Sequence, residues 1–490
     1  GHTWNLADVN GDGREDYFWA DGASHAASTV RYRLSLANGA FGPAVNTGLS
    51  GWRGVGKPFD ANGDGRADLL MISPANRWAF VPGTASGLGA MVDTGIAIES
   101  ATRDFRGADL NGDGLGDIAW SEAADPFGNS LLVRVRYARA AGGYGGPVTL
   151  YSQWQAMGYP NSEGGNFFGR PGRRIDLNGD GAEDLLMNEN YSIARISASG
   201  YGNDRFDVSF FGATAFDFND DGCTDFAYKR STAGLRVRVG HCSTNGNTTE
   251  LQGPAWTGAA ELTAIDWNGD GREDLLVRGV TNWMVALSLG NALAPLADTG
   301  VPHESATGIA VRDLNGDGLD DIARETTSQI RVRFRAGPVP DLLLAVSDGF
   351  DVEATFAYRP LTDAAVHVRG NSAAFPSQDL QTADSVVSTL RVTDGTGKGY
   401  RTSTGFRYDG LRRNAQGRGS LGFRKLTRTE LSAPEPLSTE TVFRQDFPFA
   451  GLPESVVVRQ ASGKPVSSIS YLWSKLDHNS APTSPRFPYP

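Results

Sequence analysis

Apolar residues in this chain arrive in short bursts, each opening directly after an acidic turn. Leu69-Leu70-Met71, Ile118-Ala119-Trp120 and Leu275-Leu276-Val277 are three of them. Nearby runs alternate arginine with apolar or aromatic residues: Val30-Arg31-Tyr32-Arg33-Leu34, Val133-Arg134-Val135-Arg136-Tyr137, Leu235-Arg236-Val237-Arg238-Val239 and Ile330-Arg331-Val332-Arg333-Phe334. A period of two predicts strands with one buried and one wet face. Turn signals such as Asn38-Gly39 and Gly145-Gly146-Pro147 then lead into a further short strand. No convincing helical stripe runs through residues 1–338. The class this pattern predicts is all-β.

The acidic turns are seven copies of one nine-residue unit. It reads DVNGDGRED at Asp8–Asp16 (loop 1), DANGDGRAD at Asp60–Asp68 (loop 2) and DLNGDGLGD at Asp109–Asp117 (loop 3). It returns as DLNGDGAED at Asp176–Asp184 (loop 4), DFNDDGCTD at Asp217–Asp225 (loop 5), DWNGDGRED at Asp266–Asp274 (loop 6) and DLNGDGLDD at Asp313–Asp321 (loop 7). The starts lie 52, 49, 67, 41, 49 and 47 residues apart. A period near fifty is the size of a four-stranded propeller blade, so about seven blades are expected.

The unit has the chemistry of a calcium loop. Calcium takes six to eight oxygens, and a turn carrying Asp, Asn, Asp and Asp at positions one, three, five and nine supplies them from side chains. The seventh-position carbonyl adds another, while glycine at position six permits the sharp turn. The expected ligands are therefore Asp8, Asn10, Asp12 and Asp16 with the carbonyl of Arg14; Asp60, Asn62, Asp64 and Asp68 with Arg66; and Asp109, Asn111, Asp113 and Asp117 with Leu115. Loop 4 offers Asp176, Asn178, Asp180 and Asp184 with Ala182, and loop 5 offers Asp217, Asn219, Asp221 and Asp225 with Cys223. Loops 6 and 7 offer Asp266, Asn268, Asp270 and Asp274 with Arg272, then Asp313, Asn315, Asp317 and Asp321 with Leu319. A single copy would read as an ordinary Asn-Gly-Asp-Gly turn; repetition in register outweighs that reading. Loop 5 departs most, with Asp220 where the others have glycine. Up to seven Ca²⁺ are expected, serving architecture by turning three mutually repelling carboxylates into a rigid turn.

Composition narrows the partners. Of 490 residues 40% are hydrophobic, enough for packed cores, and the formal charge is −11, which argues against nucleic acid. No apolar run approaches the ~20 residues of a membrane span. The start, GHTWNLADVN, has neither an initiator Met nor a signal peptide and reads as an excised or mature fragment. Catalytic signals are sparse. The six histidines are scattered, with no HExxH, no GxSxG and no Walker A pattern. Gly395-Thr396-Gly397-Lys398-Gly399 lies between strand-like runs, so a hairpin turn is expected rather than a phosphate cradle. Trp78, Phe80 and Trp283 fall in strands, where core packing is the default. The two cysteines, Cys223 and Cys242, would meet across a hairpin as a disulfide or remain two buried thiols; both readings stand.

These units resemble FG-GAP/VCBS-type repeats, the calcium-loop propeller blades of integrin α subunits and many exported bacterial proteins. The resemblance spans residues 1–337 and implies a propeller with Ca²⁺ between the first two strands of each blade. After Pro338-Val339-Pro340 the loops stop, and residues 338–490 form a second, β-rich region expected to be a sandwich or the start of a β-shell. Its segments DGFDVEATFAYRPL (Asp348–Leu361), VTDGTGKGYRTSTGFRYDG (Val392–Gly410), GRGSLGFRKLTRTE (Gly417–Glu430) and FRQDFPFAGLP (Phe443–Pro453) are similar to the middle region of the Tc toxin B component and of SpvB-type and RHS/YD-repeat proteins. That resemblance implies a secreted or cell-surface, non-enzymatic scaffold whose propeller docks a translocation component or the protein's own downstream shell and toxin. YD repeats and a toxin domain would lie downstream of Pro490. An exported adhesin binding surface protein or glycan is the alternative; a propeller lyase or glycosidase ranks below it. The seventh unit lacks a clear outer strand, so closure by a strand from upstream is an expectation to test.

Overall fold

The computed structural model describes residues 3–21, 29–50, 57–99, 102–123, 130–154, 175–189, 192–197, 200–206, 213–230, 234–240, 242, 248–258, 261–303, 308–325, 329–396, 399–477 and 486–489. Among them there is no α-helix. Up to Arg333 the strands form seven sheets of three or four antiparallel strands laid down largely in chain order, one for each acidic loop, alongside a minor two-stranded ribbon. The first sheet, Thr3–Ala7, Asp16–Asp21, Thr29–Arg33 and Val45–Ser50, sets the pattern: loop 1 joins its first two strands, and their register pairs Ala7 with Asp16. Sheets four and seven have three described strands each.

In every sheet but the fourth, whose first described strand is Leu185–Glu189, the apolar burst after the loop is the second strand. Asp68–Ile72 is buried at every position. Such a strand faces a neighbouring sheet on both sides, which is why it reads as a continuous apolar run rather than an alternation. Adjacent sheets share their cores: Phe59, Leu70, Ile72 and Trp78 of the second pack with Phe105, Ile118 and Trp120 of the third.

The arginine-alternating runs are strands, as predicted, each the third of its sheet, but the expected wet face holds in some of them and not in others. Thr29–Arg33 does alternate, whereas in Gly234–Gly240 even Arg236 is only 8% exposed. Arg136 lies 3.3 Å from Glu99 and Arg134 lies 3.0 Å from Glu122. Where a neighbouring sheet covers that face a charge must be paired, whereas in Ile330–Arg333 both Arg331 and Arg333 are exposed. Trp78 and Trp283 are buried as expected, and Phe80 packs against the same core.

Backbone hydrogen bonds link the loops into a ring. The eighth residue of one loop donates its N–H to the first carbonyl of the preceding loop: Ala67 to Asp8 (2.9 Å), Gly116 to Asp60 (2.7 Å), Glu183 to Asp109 (2.7 Å), Thr224 to Asp176 (2.8 Å) and Glu273 to Asp217 (3.2 Å). Loops 6 and 7 are joined by Asp266 N–H to Asp320 Oδ2 at 3.1 Å, and Glu15 reaches Asp313 O at 3.4 Å to close the circle. Leu6 and Tyr17 pack with Leu314 and Ala323 across this seam. The first sheet carries four described strands and the seventh three, and among the described residues the two meet by side-chain packing.

The second region is β-rich, as expected: a ten-stranded sheet and a separate two-stranded sheet of Ser474–Asp477 and Arg486–Tyr489. Eight strands follow in antiparallel order: Ala345–Ser347, Glu353–Pro360, Ser385–Thr393, Tyr400–Asn414, Gly419–Glu430, Leu437–Phe443, Pro453–Gln460 and Pro465–Ser470. The long Tyr400–Asn414 strand pairs with Gly419–Glu430 along one edge and with three strands along the other. Its first half pairs with Ser385–Thr393, and its second half takes His367–Val368 in parallel and Ser377–Asp379 antiparallel. Both short strands belong to residues 361–384, an insertion between two sheet strands. The Gly395–Gly399 stretch is a hairpin connection, as predicted, with Asp394 N–H on Gly399 O at 3.2 Å; residues 397 and 398 lie outside the described residues.

Candidate metal loops and the face that carries them

Within each loop the first aspartate organises the turn. Asp8 Oδ1 accepts the amides of Gly11 (2.6 Å) and Asp12 (3.1 Å), and its Oδ2 accepts Gly13 (2.8 Å). Asp60 repeats this with Gly63 (2.8 Å), Asp64 (3.1 Å) and Gly65 (2.8 Å), and Asp313 with Gly316 (2.6 Å), Asp317 (3.3 Å) and Gly318 (2.7 Å). Asp109, Asp176, Asp217 and Asp266 accept the sixth-position amide in the same way, from Gly114, Gly181, Gly222 and Gly271. Left-handed backbone at positions four and six makes this wrap possible, with φ of 74° at Gly11 and 82° at Gly13. In loop 5 Asp220 adopts the same region at φ 58°, so the departing copy closes too.

The third and fifth positions interlock. Asn10 Oδ1 accepts Asp12 N–H at 3.0 Å, Asn10 Nδ2 donates to Asp12 Oδ2 at 3.0 Å, and Arg14 N–H donates to Asp12 Oδ1 at 3.0 Å. The amide-to-carboxylate bond recurs from Asn111, Asn178, Asn219, Asn268 and Asn315. Three seventh-position side chains act as well. Arg14, Arg66 and Arg272 place guanidinium nitrogens 2.6, 3.1 and 2.5 Å from Asp12, Asp64 and Asp270.

The ninth aspartate is the most enclosed. Asp16, Asp68, Asp117, Asp225, Asp274 and Asp321 are fully buried, and Asp184 is nearly so. One oxygen accepts the second-position amide of the same loop, from Val9 (3.1 Å), Ala61 (3.0 Å), Leu110 (3.0 Å), Leu177 (2.9 Å), Phe218 (2.8 Å), Trp267 (2.9 Å) and Leu314 (3.0 Å). In six loops the other oxygen takes an amide just past the third strand: Ser35 (2.8 Å), Gly83 (2.7 Å), Ala138 (2.8 Å), Gly240 (2.6 Å), Ser288 (2.7 Å) and Arg335 (3.0 Å). Burial raises these carboxyls, those of Asp16, Asp68 and Asp117 to about 8 and those of Asp225 and Asp321 to about 7. Repulsion from the first and fifth aspartates adds to the rise, and the accepted amides oppose it.

Every side-chain donor in the loop is oxygen, the class a hard divalent cation takes. Each oxygen of a ninth aspartate such as Asp16 keeps a lone pair beyond the one amide it accepts, whereas Oδ1 of Asp8, Asp60 and Asp313 already accepts two. The carboxylates are nonetheless spread over backbone amides. Among the described residues, the trio of acidic, His or Cys ligand atoms within 4.8 Å of one another is Asp221 with Cys223 and Cys242, and that is a disulfide beside an aspartate. The disulfide resolves the open reading of the two cysteines.

Residues 8–71 and 245–323 match the family model described as FG-GAP-like repeat. The first and last blades of the ring thus carry FG-GAP-like repeats. Among curated protein sequences none matches the chain. A chain of the Photorhabdus luminescens Tc holotoxin pore shares the fold over 88% of this chain and 22% of its own, at 16% identity and a TM-score of 0.51. A second structure, TcdB2-TccC3 without its hypervariable C-terminal region, matches 97% of this chain and 27% of its own, at 13% identity and a TM-score of 0.49. The chain thus spans about a quarter of the length of these structures.

The FG-GAP-like loops all gather on one face, and residues 361–384 of the large sheet sit on part of it. Gln378 Nε2 donates to Asp60 Oδ2 at 3.1 Å, Arg369 Nη2 donates to Asp64 O at 3.3 Å, and the Thr362 hydroxyl donates to Gly316 O. Position four is buried in loops 1, 2 and 7 and exposed in loops 4 and 5.

Sequence reasoning passed over the eighth position, of which Thr224, Glu273 and Asp320 border one cavity. A cavity of 460 Å³ is bordered by Asp176, Asp217, Glu273, Asp320, Arg312 and the Cys223 backbone region. Glu183 pairs with Arg106 at 3.3 Å and Glu15 approaches Arg312 at 3.9 Å. Burial raises the Glu15 carboxyl, with Arg312 opposing. The signal was available in principle: position eight neighbours an invariantly buried aspartate and must face the other way.

Proposed function

We propose that this chain is a calcium-stabilised, non-catalytic scaffold and docking part of a secreted protein of the Tc toxin B component type. The observation that carries the reading is the pairing of an FG-GAP-like propeller with a broad open sheet seated on its loop face. That pairing matches, in fold, a chain of a Tc holotoxin over 88% of the present chain. The large sheet supports it further, because most of its residues are half-buried or exposed and few are buried. A sheet of that size without a packed partner suits a wall to be completed by other chain. The protein partner is a translocation component or the protein's own shell and toxin.

Calcium belongs to the same reading. Asp8, Asn10, Asp12 and Asp16 with the Arg14 carbonyl, and their counterparts in the other loops, would hold it, and the ion would neutralise carboxylates that burial and mutual repulsion disfavour in ionised form. A site filled at about one hundred times its Kd adds about 2.7 kcal/mol of stability. The test has two arms. Melting with and without EDTA should show a large calcium-dependent rise, and an unchanged melting temperature after verified metal removal would sink the calcium part. Co-purification of the full-length protein with a Tc pore component should show a stable complex. Failure to bind, together with recognition of glycans on an array, would favour the adhesin alternative.

A further inference from the structure

Residues 361–384 leave the large sheet and return to it through one neck. Leu361 N–H donates to Asp384 O at 2.9 Å, so the two ends of the insertion are joined at its base. Beyond the neck the insertion grips the loop face at separate points. The Thr362 hydroxyl donates to Gly316 O of loop 7, and Arg369 Nη2 donates to Asp64 O of loop 2 at 3.3 Å. A Cβ added to Gly11 of loop 1 would lie 2.7 Å from the same guanidinium. His367 stands between these two grips in sequence and is 1% exposed.

The surroundings of this histidine suit the neutral ring. Its backbone N–H donates to Asp363 O at 3.0 Å, and His367–Val368 pairs in parallel with Tyr408–Asp409. Nδ1 lies 3.0 Å from Leu361 O, and a carbonyl can only accept, so Nδ1 carries the proton. Nε2 then holds a lone pair, and it is buried with no hydrogen-bond partner among the described residues. The ring meets Phe423 edge-on, and Phe423 packs in turn on Tyr408, whose hydroxyl donates to Val387 O. The charged groups around it are engaged elsewhere. Asp409 is shared between Lys425 at 2.9 Å and Arg407 at 3.7 Å. Arg407 also donates to Ala364 O and Ala365 O, and Asp363 pairs with Arg359 at 2.6 Å. A second proton on His367 would put a charged N–H where nothing is placed to accept it.

We infer that His367 is an acid-sensitive latch: its neutral ring holds the neck of the insertion in place, and its protonation frees residues 361–384 from the propeller loops. The charged ring reaches water when His367–Val368 leaves Tyr408–Asp409. That movement carries Arg369 away from Asp64 and releases Leu361, next to the Thr362 grip on loop 7. Burial lowers the pKa of His367 in the docked form, so the docked form is favoured at neutral pH and the open form in acid. Opening takes up one proton. Between the ordinary histidine value of about 6.5 and the lowered docked value, the open fraction therefore rises about tenfold per pH unit. The device needs no bound metal.

The test is hydrogen exchange of the full chain from about pH 7.5 down to about pH 4.5, corrected for the intrinsic pH dependence of amide exchange. Exchange in residues 361–384 should rise as pH falls, while the strand Leu437–Phe443, away from the neck, stays protected. His367→Gln cannot take up the proton and should lose this rise. Asp60, which accepts Gln378 and titrates at about 6, responds in the same range, but it does so in both proteins and cancels in the comparison. An acid response of equal size in wild type and His367→Gln would overturn the latch. So would a wild-type insertion whose exchange does not change with pH. If the variant does not fold, NMR of histidine-labelled wild type decides: the His367 ring should titrate below the ordinary histidine value, and titration at that value in the docked chain overturns the inference.

Discussion

Ala138 donates its backbone N–H to Asp117 Oδ1 at 2.8 Å, tying the end of a third strand to the last residue of an acidic loop 21 positions earlier. The other oxygen of Asp117 holds Leu110 N–H at 3.0 Å. This aspartate is thus a brace between loop and blade, whatever it does for a metal. Asp117→Ala would leave two buried amides without partners and is expected to cost about 2–5 kcal/mol. The loss should persist in EDTA. Asp113→Ala removes a more exposed loop carboxylate and should matter mainly in calcium. Denaturant unfolding of both variants, with and without the metal, distinguishes bracing from ligation.

The metal-free ring should weaken as pH rises from the acid range through neutrality. Asp16, Asp68 and Asp117 titrate near 8 in the fold because burial disfavours their charge, against the ordinary carboxylate range in the unfolded chain. A raised carboxyl contributes stability that is complete below the unfolded value and is lost as pH rises through the folded one. In EDTA the melting temperature should therefore fall between about pH 4 and pH 8. Saturating calcium should flatten that slope, because the ion favours the ionised form. A calorimetric pH series with and without calcium checks both statements.

His367 contributes in the opposite sense. It is buried, its Nδ1 lies 3.0 Å from Leu361 O, and its ring meets Phe423 edge-on. Burial lowers its pKa from the ordinary histidine value; the Leu361 carbonyl and Asp409 oppose the shift, and Arg407 reinforces it. A lowered histidine supplies stability above its unfolded pKa of about 6.5, lost as pH falls through the folded value. The stability advantage of wild type over His367→Gln should shrink on acidification below about pH 6.5, as read by chemical unfolding at several pH values.

The Cys223–Cys242 disulfide closes a short loop, with a sequence separation of 19. Opening it is expected to cost about 3 kcal/mol. It braces loop 5, the copy with Asp220 in place of glycine, and touches loop 4, where a Cβ on Gly179 would lie 2.9 Å from Cys223 Sγ. Hydrogen exchange of the Cys223→Ser, Cys242→Ser double variant should show faster exchange concentrated in residues 213–240. Uniform exchange across all seven blades would argue against a local brace.

What the sequence by itself determined is local. The nine-residue unit specifies its own turn, because glycine at positive φ and an aspartate three to five residues earlier suffice to fold it. The apolar burst after it specifies a strand covered on both sides. Seven copies near a fifty-residue period then imply seven sheets. Other features depended on partners far away in the chain. Alternating arginines in Gly234–Gly240 announce two faces, yet only the stacked neighbour decides that Arg236 is buried. That the ninth aspartates also brace the blade is decided only where the end of the third strand delivers a second amide. Gln378 gives no local hint of its place, because its partner Asp60 lies 318 residues earlier. Residue type and spacing carry the turn and the strand; which carboxylates are enclosed is set by what packs over them.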